Sequence, residues 1–307
     1  MNTDTAGDPR VLTRIQPRPG KLGEHFDVQR ALPSAACRRV GPFVFLDRMG
    51  PTRFPAGAGL DVPAHPHIGL ATVTWLFSGE LLHRDSLGTV QPIRPGEVNW
   101  MTAGRGIAHS ERSPASVRRG EHELYGLQAW VALPRDLEAT APSFAHHGRE
   151  ELPRIEQDGA RLTLIAGDWA GERSPVTTHS PLFYAELSLQ AGARFTFPAE
   201  HEERALYLLA GRLPADADTA YEAGELLVLA PGTPVELHAE TGPVHAMLLG
   251  GAPLDGHRHI WWNFVASERA SIEQAKADWA AGRFAAVPDE HDPLPLPGPK
   301  PAPVKYP

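Results

Sequence analysis

Between Phe43 and Leu133 the chain alternates short apolar runs with glycine and proline punctuation: 43-FVFLD-47, 71-ATVTWLF-77, 97-EVNWM-101 and 124-LYGLQAWVAL-133. Runs of this length and alternation, with turn residues between them, predict β-strands of a sandwich or barrel. A charged, proline-bearing stretch, 134-PRDLEATAPSFAHHGREELPR-154, breaks the pattern and reads as a connector, with His146 and His147 in a solvated loop. A second strand series follows at 161-RLTLIAG-167, 182-LFYAELSL-189, 194-RFTFPA-199, 204-RALYLLAG-211, 225-ELLVLA-230 and 244-VHAMLLGG-251. Its punctuation echoes the first: 76-LFSGELL-82 parallels 208-LLAGRLP-214, and 95-PGEVNWMTAG-104 parallels 223-AGELLVLAPG-232. Strand order and turn positions repeat, so the pattern predicts a duplicated β domain.

The clearest helical pattern is 268-ERASIEQAKADWAAGRF-284, with Ile272, Ala275, Trp279 and Phe284 on one side and Ser271 placed to cap its start. It is expected to pack against the second β domain. The resulting division is a first β domain over 1–133, a connector over 134–154, a second β domain with the helix over 155–287, and a proline-rich tail over 288–307. The segment 292–307 is expected to be extended or disordered.

Composition narrows the class. Thirty-one prolines and 29 glycines in 307 residues suit many short strands joined by turns. A formal net charge of −8 without a basic stripe argues against direct nucleic-acid binding. The single cysteine, Cys37, excludes an intramolecular disulfide framework and points to a reducing compartment, where it is expected to be inert. No signal peptide or membrane-spanning apolar run is apparent, so a soluble, cytoplasmic protein is expected.

Two short clusters carry the candidate chemistry. In 63-PAHPHIGLATVTWLF-77, His65 and His67 lie one residue apart at the entrance to an apolar run. Strand periodicity turns both to one face, shared with Ala71, Val73, Trp75 and Phe77 if the strand continues unbroken. In 105-RGIAHSER-112, His109 and Glu111 repeat the spacing, with Ile107 on their face. One H-x-H pair is weak evidence, since paired histidines also occur as satisfied core or surface residues. The second pair on another strand of the same domain makes a mixed N/O set suited to iron, manganese, nickel, copper or zinc, with positions left open for other ligands. The pair in 257-HRHIWW-262 has no second cluster and is expected to pack beside the domain junction. Trp75, Trp100 and Trp130 could wall a pocket for a planar ligand, although at strand spacing tryptophans more often belong to the core.

These residues resemble a known family. Gly59, His65, His67 and Gly79 match the first cupin motif, and 95-PGEVNWMTAGRGIAHSE-111 resembles the second. The wording HPHIGLATVTWLF, HRDSLGTVQ and NWMTAGRGIAHSE is similar to that of the pirin family, from 26-FDVQRALP-33 through 257-HRHIWWNFV-265 to the helix. The resemblance implies an all-β bicupin: two antiparallel β-barrel domains packed together, with a C-terminal α-helix. It implies one divalent metal ion per chain in the N-terminal barrel, Fe(II) first, with Mn, Ni, Cu, Co or Zn as alternatives. Its ligands would be His65, His67, His109 and Glu111. Quercetin 2,3-dioxygenases of this family open a flavonol ring with dioxygen, so a flavonol-like molecule and dioxygen become the expected substrates and Glu111 a proton acceptor as well as a ligand. Other members are redox-responsive regulators that bind a transcription factor or metabolic enzyme, so a protein partner is the alternative. Many cupins place a glutamate ligand just after H-x-H; 68-IGLAT-72 has no acid, which leaves Glu111 as the carboxylate. In the second domain, Phe197, Ala199, Leu237 and Ala239 stand opposite the four ligands, so no second metal site is expected there.

Overall fold

The computed structural model describes residues 8–22, 26–215 and 219–298. Its first half pairs two antiparallel sheets. The larger runs, from edge to edge, through Ser143–His147, Val98–Thr102, Leu70–Ser78, His122–Ala132, Phe43–Phe54, Phe26–Leu32 and Arg18–Leu22. The smaller runs through Asp61–His67, Ile107–Arg112, Leu81–Asp85 and Val90–Ile93. The second half is built on a sheet ordered Val11–Ile15, Leu226–Leu229, Glu203–Ala210, Val244–Gly251, Leu182–Leu189, Ala160–Trp169 and Arg154–Gln157. The short pair Arg194–Phe197 and Val235–His238 accompanies it. This is the bicupin architecture, with one adjustment: the sheets stay open rather than closing into barrels.

The repeated punctuation is structural. Gly79 and Gly211 both have positive φ, at 88° and 84°, and so do Gly96 and Gly224, at 84° and 97°. Corresponding turns in the two halves thus use the backbone region that glycine enters at least cost.

Alternation along Leu70–Ser78 decides which core each side chain joins. Ala71, Val73 and Trp75 pack with Tyr184, Tyr207 and Met247 in a core shared by the two halves. On the opposite face, Leu70 and Leu76 join two separate clusters, the first of which also takes in Val265 of the C-terminal hairpin. Buried Thr72 and Thr74 lie between them in sequence. The same order recurs on His122–Ala132, where Leu124 belongs to one cluster, Trp130 to the other, and buried Gln128 falls between. A polar layer therefore crosses the first half between two apolar ones.

This corrects the parity argument. Asp61–His67 and Leu70–Ser78 are separate strands in separate sheets, so Ala71, Val73 and Trp75 face away from the imidazoles and toward the second half. Gly69 makes the break. It has φ of +68°, and a Cβ there would come within 2.0 Å of the Val265 carbonyl oxygen.

The chain also weaves between halves more than the expected boundaries suggest. Val11–Ile15 pairs with Leu226–Leu229 of the second half. Within the connector, Ser143–His147 is a strand paired with Val98–Thr102, not a solvated loop, and His146 Nδ1 lies 2.8 Å from Asn99 Oδ1. The C-terminal helix, Arg269–Ala280, returns to the first half: Ile272 and Ala275 pack with Ile68, Phe264 and Ala266. Glu268 rather than Ser271 sits at its N-cap, because the helix begins at Arg269, three residues earlier than the serine predicts. The described part of the tail is extended and docked. Leu294 N–H donates to the Ala64 carbonyl at 2.8 Å, and Trp279 Nε1–H donates to the Leu294 carbonyl at 2.9 Å. Residues 299–307 lie outside the described residues. No helix among the described residues is long and apolar enough to cross a membrane.

Candidate metal centre

The polar layer of the first half holds the predicted cluster. His109 pairs directly with His65 across the Ile107–Arg112 and Asp61–His67 strands, and Ile107 pairs with His67. The register then shifts between His109 and Glu111, so that Glu111 faces Val62. Such a bulge re-aims side chains at a site. Here it lies beside Pro63, whose missing N–H is tolerated in an edge strand.

The ligand atoms of His65, His67 and His109 all lie within 4.8 Å of one another, and the three side chains could hold a metal ion. The residues are 6%, 1% and 1% exposed, so their imidazoles cannot rely on water to carry charge. Desolvation by burial lowers the pKa of His65 and pushes those of His67 and His109 well down, which keeps the rings neutral and their nitrogens free to ligate. Two Nδ1 atoms are committed to carbonyls: His65 Nδ1–H donates to Pro63 at 2.9 Å and His67 Nδ1–H to Asn263 at 3.1 Å. Each of these rings therefore keeps a lone pair on Nε2, and His67 Nε2 faces His109 Nε2 at 3.1 Å. A buried group of neutral nitrogen donors is what a divalent transition metal requires.

Glu111 stands apart from this triad. Its carboxylate accepts from Gln128 Nε2 at 3.0 and 2.8 Å and from the Thr74 hydroxyl at 3.2 Å. It is buried in the same layer, and it falls outside the mutually close set that the three histidines form.

Several residues around the centre escaped sequence reasoning. Asn263 orients His67 through a backbone carbonyl, which carries no side-chain signal. Gln128 and Thr74 were readable only as interior positions of strands. His83 packs against His109, ring centroid to ring centroid 5.2 Å, although it begins the motif HRDSLGTVQ. The three tryptophans divide: Trp75 and Trp100 belong to the core between halves, and Trp130 sets its ring edge-on to His67 at 5.3 Å. The 257–259 histidine pair packs ring against ring at 4.6 Å, outside the triad.

The second half has no equivalent centre among the described residues. Its matching strand pair sets Leu237 opposite Phe195, as His109 stands opposite His65. The counterpart of His65 is thus two residues from the expected Phe197, and both are apolar. Trp169, Phe183 and Phe197 fill that space with aromatic packing.

Two open β-sandwiches from one chain, with three neutral imidazoles gathered in the first, define a bicupin with a metal-competent histidine triad. The sequence model of the Pirin family matches residues 25–131, and that of the Pirin C-terminal cupin domain matches 184–285. A pirin-like protein of Caulobacter vibrioides is 51% identical over 264 residues, covering 85% of this chain and 90% of the relative. The crystal structure of a quercetin 2,3-dioxygenase from Acinetobacter baumannii superposes with a TM-score of 0.86 at 34% identity, covering 95% of this chain and 97% of that one. A second quercetin 2,3-dioxygenase structure from that organism gives 0.82 at 28% identity, covering 90% and 98%. The chain belongs to the pirin family.

Proposed function

We propose that this protein is a metal-dependent dioxygenase of the quercetin 2,3-dioxygenase type, with one Fe(II) ion held by His65, His67, His109 and Glu111. The observation that carries the reading is the triad of buried, neutral imidazoles, in a chain that is 34% identical to a solved quercetin 2,3-dioxygenase. A bound ion would supply Lewis-acid polarisation of a flavonol oxygen and a redox partner for dioxygen.

The chain's own residues do the rest. His65 and His67 are aimed by carbonyl acceptors on Nδ1, so little reorganisation is needed on binding. Glu111 accepts the proton of the flavonol 3-hydroxyl, and Gln128 and Thr74 hold its carboxylate ready for that transfer.

The test loads the protein separately with Fe(II), Mn, Ni, Cu, Co and Zn, then follows quercetin consumption and carbon monoxide release. Fe(II) should support turnover, and His65→Ala and Glu111→Ala should abolish it. Equal turnover by those variants would assign the reaction to adventitious metal or autoxidation.

A further inference from the structure

The motif 83-HRDSLGTVQ-91 takes no part in the ligand set, yet its His83 is 4% exposed and its Asp85 is fully buried. Both belong to Leu81–Asp85, which pairs with the His109 strand so that Asp85 lies opposite His109 and His83 opposite Glu111. We propose that His83 and Asp85 are positioning residues that fix the tautomer of His109 and thereby set the affinity of the triad for its ion. The proposal rests on the reading that the triad binds a metal.

The hydrogen bonds run in one direction. Asp85 Oδ1 accepts the backbone N–H groups of Leu87 and Thr89, at 2.9 and 3.0 Å. Its Oδ2 lies 3.0 Å from His83 Nε2. An ionised carboxylate only accepts, so His83 carries its proton on Nε2 and keeps a lone pair on Nδ1. That lone pair is 3.3 Å from His109 Nδ1, which must therefore be the donor. His109 is left with a lone pair on Nε2, 3.1 Å from the Nε2 lone pair of His67. Two lone pairs facing each other at that distance repel, and a cation that both can ligate relieves the repulsion. Phe144 stacks on His83, centroids 4.5 Å apart and planes 24° apart, and holds the ring in register. Asp85 thus acts on the metal position through two imidazoles, without touching His109's ligating atom.

The decisive variant is Asp85→Asn. Its Oδ1 can still accept the two loop amides, so the turn is kept. Its amide N–H groups would face His83 Nε2, force the His83 proton onto Nδ1, and so drive the His109 proton onto Nε2. Histidine-labelled, metal-free protein is examined by 15N–13C NMR, and affinity for Zn(II) is measured by competition with a chromophoric chelator. The wild type should show His109 protonated at Nδ1. Asp85→Asn should show it at Nε2 and bind Zn(II) about 10- to 100-fold more weakly. In a second pair, His83→Asn returns an acceptor near the lost Nδ1 and should bind Zn(II) more tightly than His83→Leu, with both melting curves recorded. An Nε2-protonated His109 in the wild type, or an Asp85→Asn protein with unchanged tautomer and affinity, would overturn the relay. A wild type that shows the expected tautomer but binds no Zn(II) would overturn the metal reading and the assigned purpose of the relay together.

Discussion

At the scale of single residues, the centre is a problem of satisfying buried nitrogens. Each histidine of the triad has one ring nitrogen within reach of a protein partner and another left for an ion, and burial keeps all three neutral. Removing one donor should therefore remove the ion: His67→Ala is expected to lower the metal content from about one ion per chain to near zero by elemental analysis. Glu111 poses a different question, because Gln128 and Thr74 already engage its carboxylate. Gln128→Leu should leave the metal content intact and reduce quercetin turnover by about 10- to 100-fold. A loss of metal in that variant would show that Gln128 holds Glu111 as a ligand of the ion and not only as a proton acceptor.

At the scale of elements, the two ligand strands owe their geometry to a bulge, a glycine and a strap. Gly69→Ala puts a side chain into a left-handed backbone and against the Val265 carbonyl. It should cost about 1–3 kcal/mol from the backbone alone, with the steric clash added, and the check is a denaturant titration. The tail secures the outer face of the same strands: Glu290 accepts from Ser110 at 2.9 Å and from Arg112 at 3.0 Å. Burial works to raise the Glu290 carboxyl, but hydrogen bonds from Arg112 and Ser110 outweigh it and hold the pKa below the ordinary carboxylate range. A carboxyl lowered on folding stabilises the fold above its unfolded pKa, and that contribution disappears as pH falls through the folded value. Wild-type stability should thus fall more steeply than that of Glu290→Gln as pH drops from 6 toward 3, as measured by chemical unfolding. Parallel curves would exclude a role for this contact. These elements also mark the limit of the sequence reading. The H-x-H and H-x-E spacing showed which side chains share a face, and His65, His67 and His109 do meet. Alternation could not show that Gly69 carries the chain from one sheet to the other, which reverses the face assigned to Val73 and Trp75. Nor could it show a carbonyl acceptor such as that of Asn263, whose position follows only from the return of the C-terminal hairpin.

At the scale of the whole molecule, the halves are joined through a core rather than merely tethered. Ala71, Val73, Trp75, Trp100, Tyr184, Tyr207 and Met247 are among its buried members. Burying a large apolar side chain contributes about 1.5–3 kcal/mol, so parting the halves would expose several such contributions at once. The N-terminal strand reaches into the second sheet, and the C-terminal hairpin and helix return to the first half. A single calorimetric transition is expected for the metal-free protein, and two separated transitions would show that the halves fold independently. The duplication was legible in turn glycines and strand order, but this interlacing was not, because it depends on which sheet each terminal segment joins. The same interlacing makes the metal centre a product of the full chain: His67 depends on Asn263, 196 residues away.

The most direct test of the dioxygenase account is carbon monoxide release from quercetin by protein reconstituted anaerobically with one equivalent of Fe(II) and then exposed to dioxygen. The account predicts release in step with quercetin loss by the wild type, and none by His65→Ala loaded in the same way. Stoichiometric iron binding without carbon monoxide release would contradict it and favour a redox-responsive regulator on the same fold.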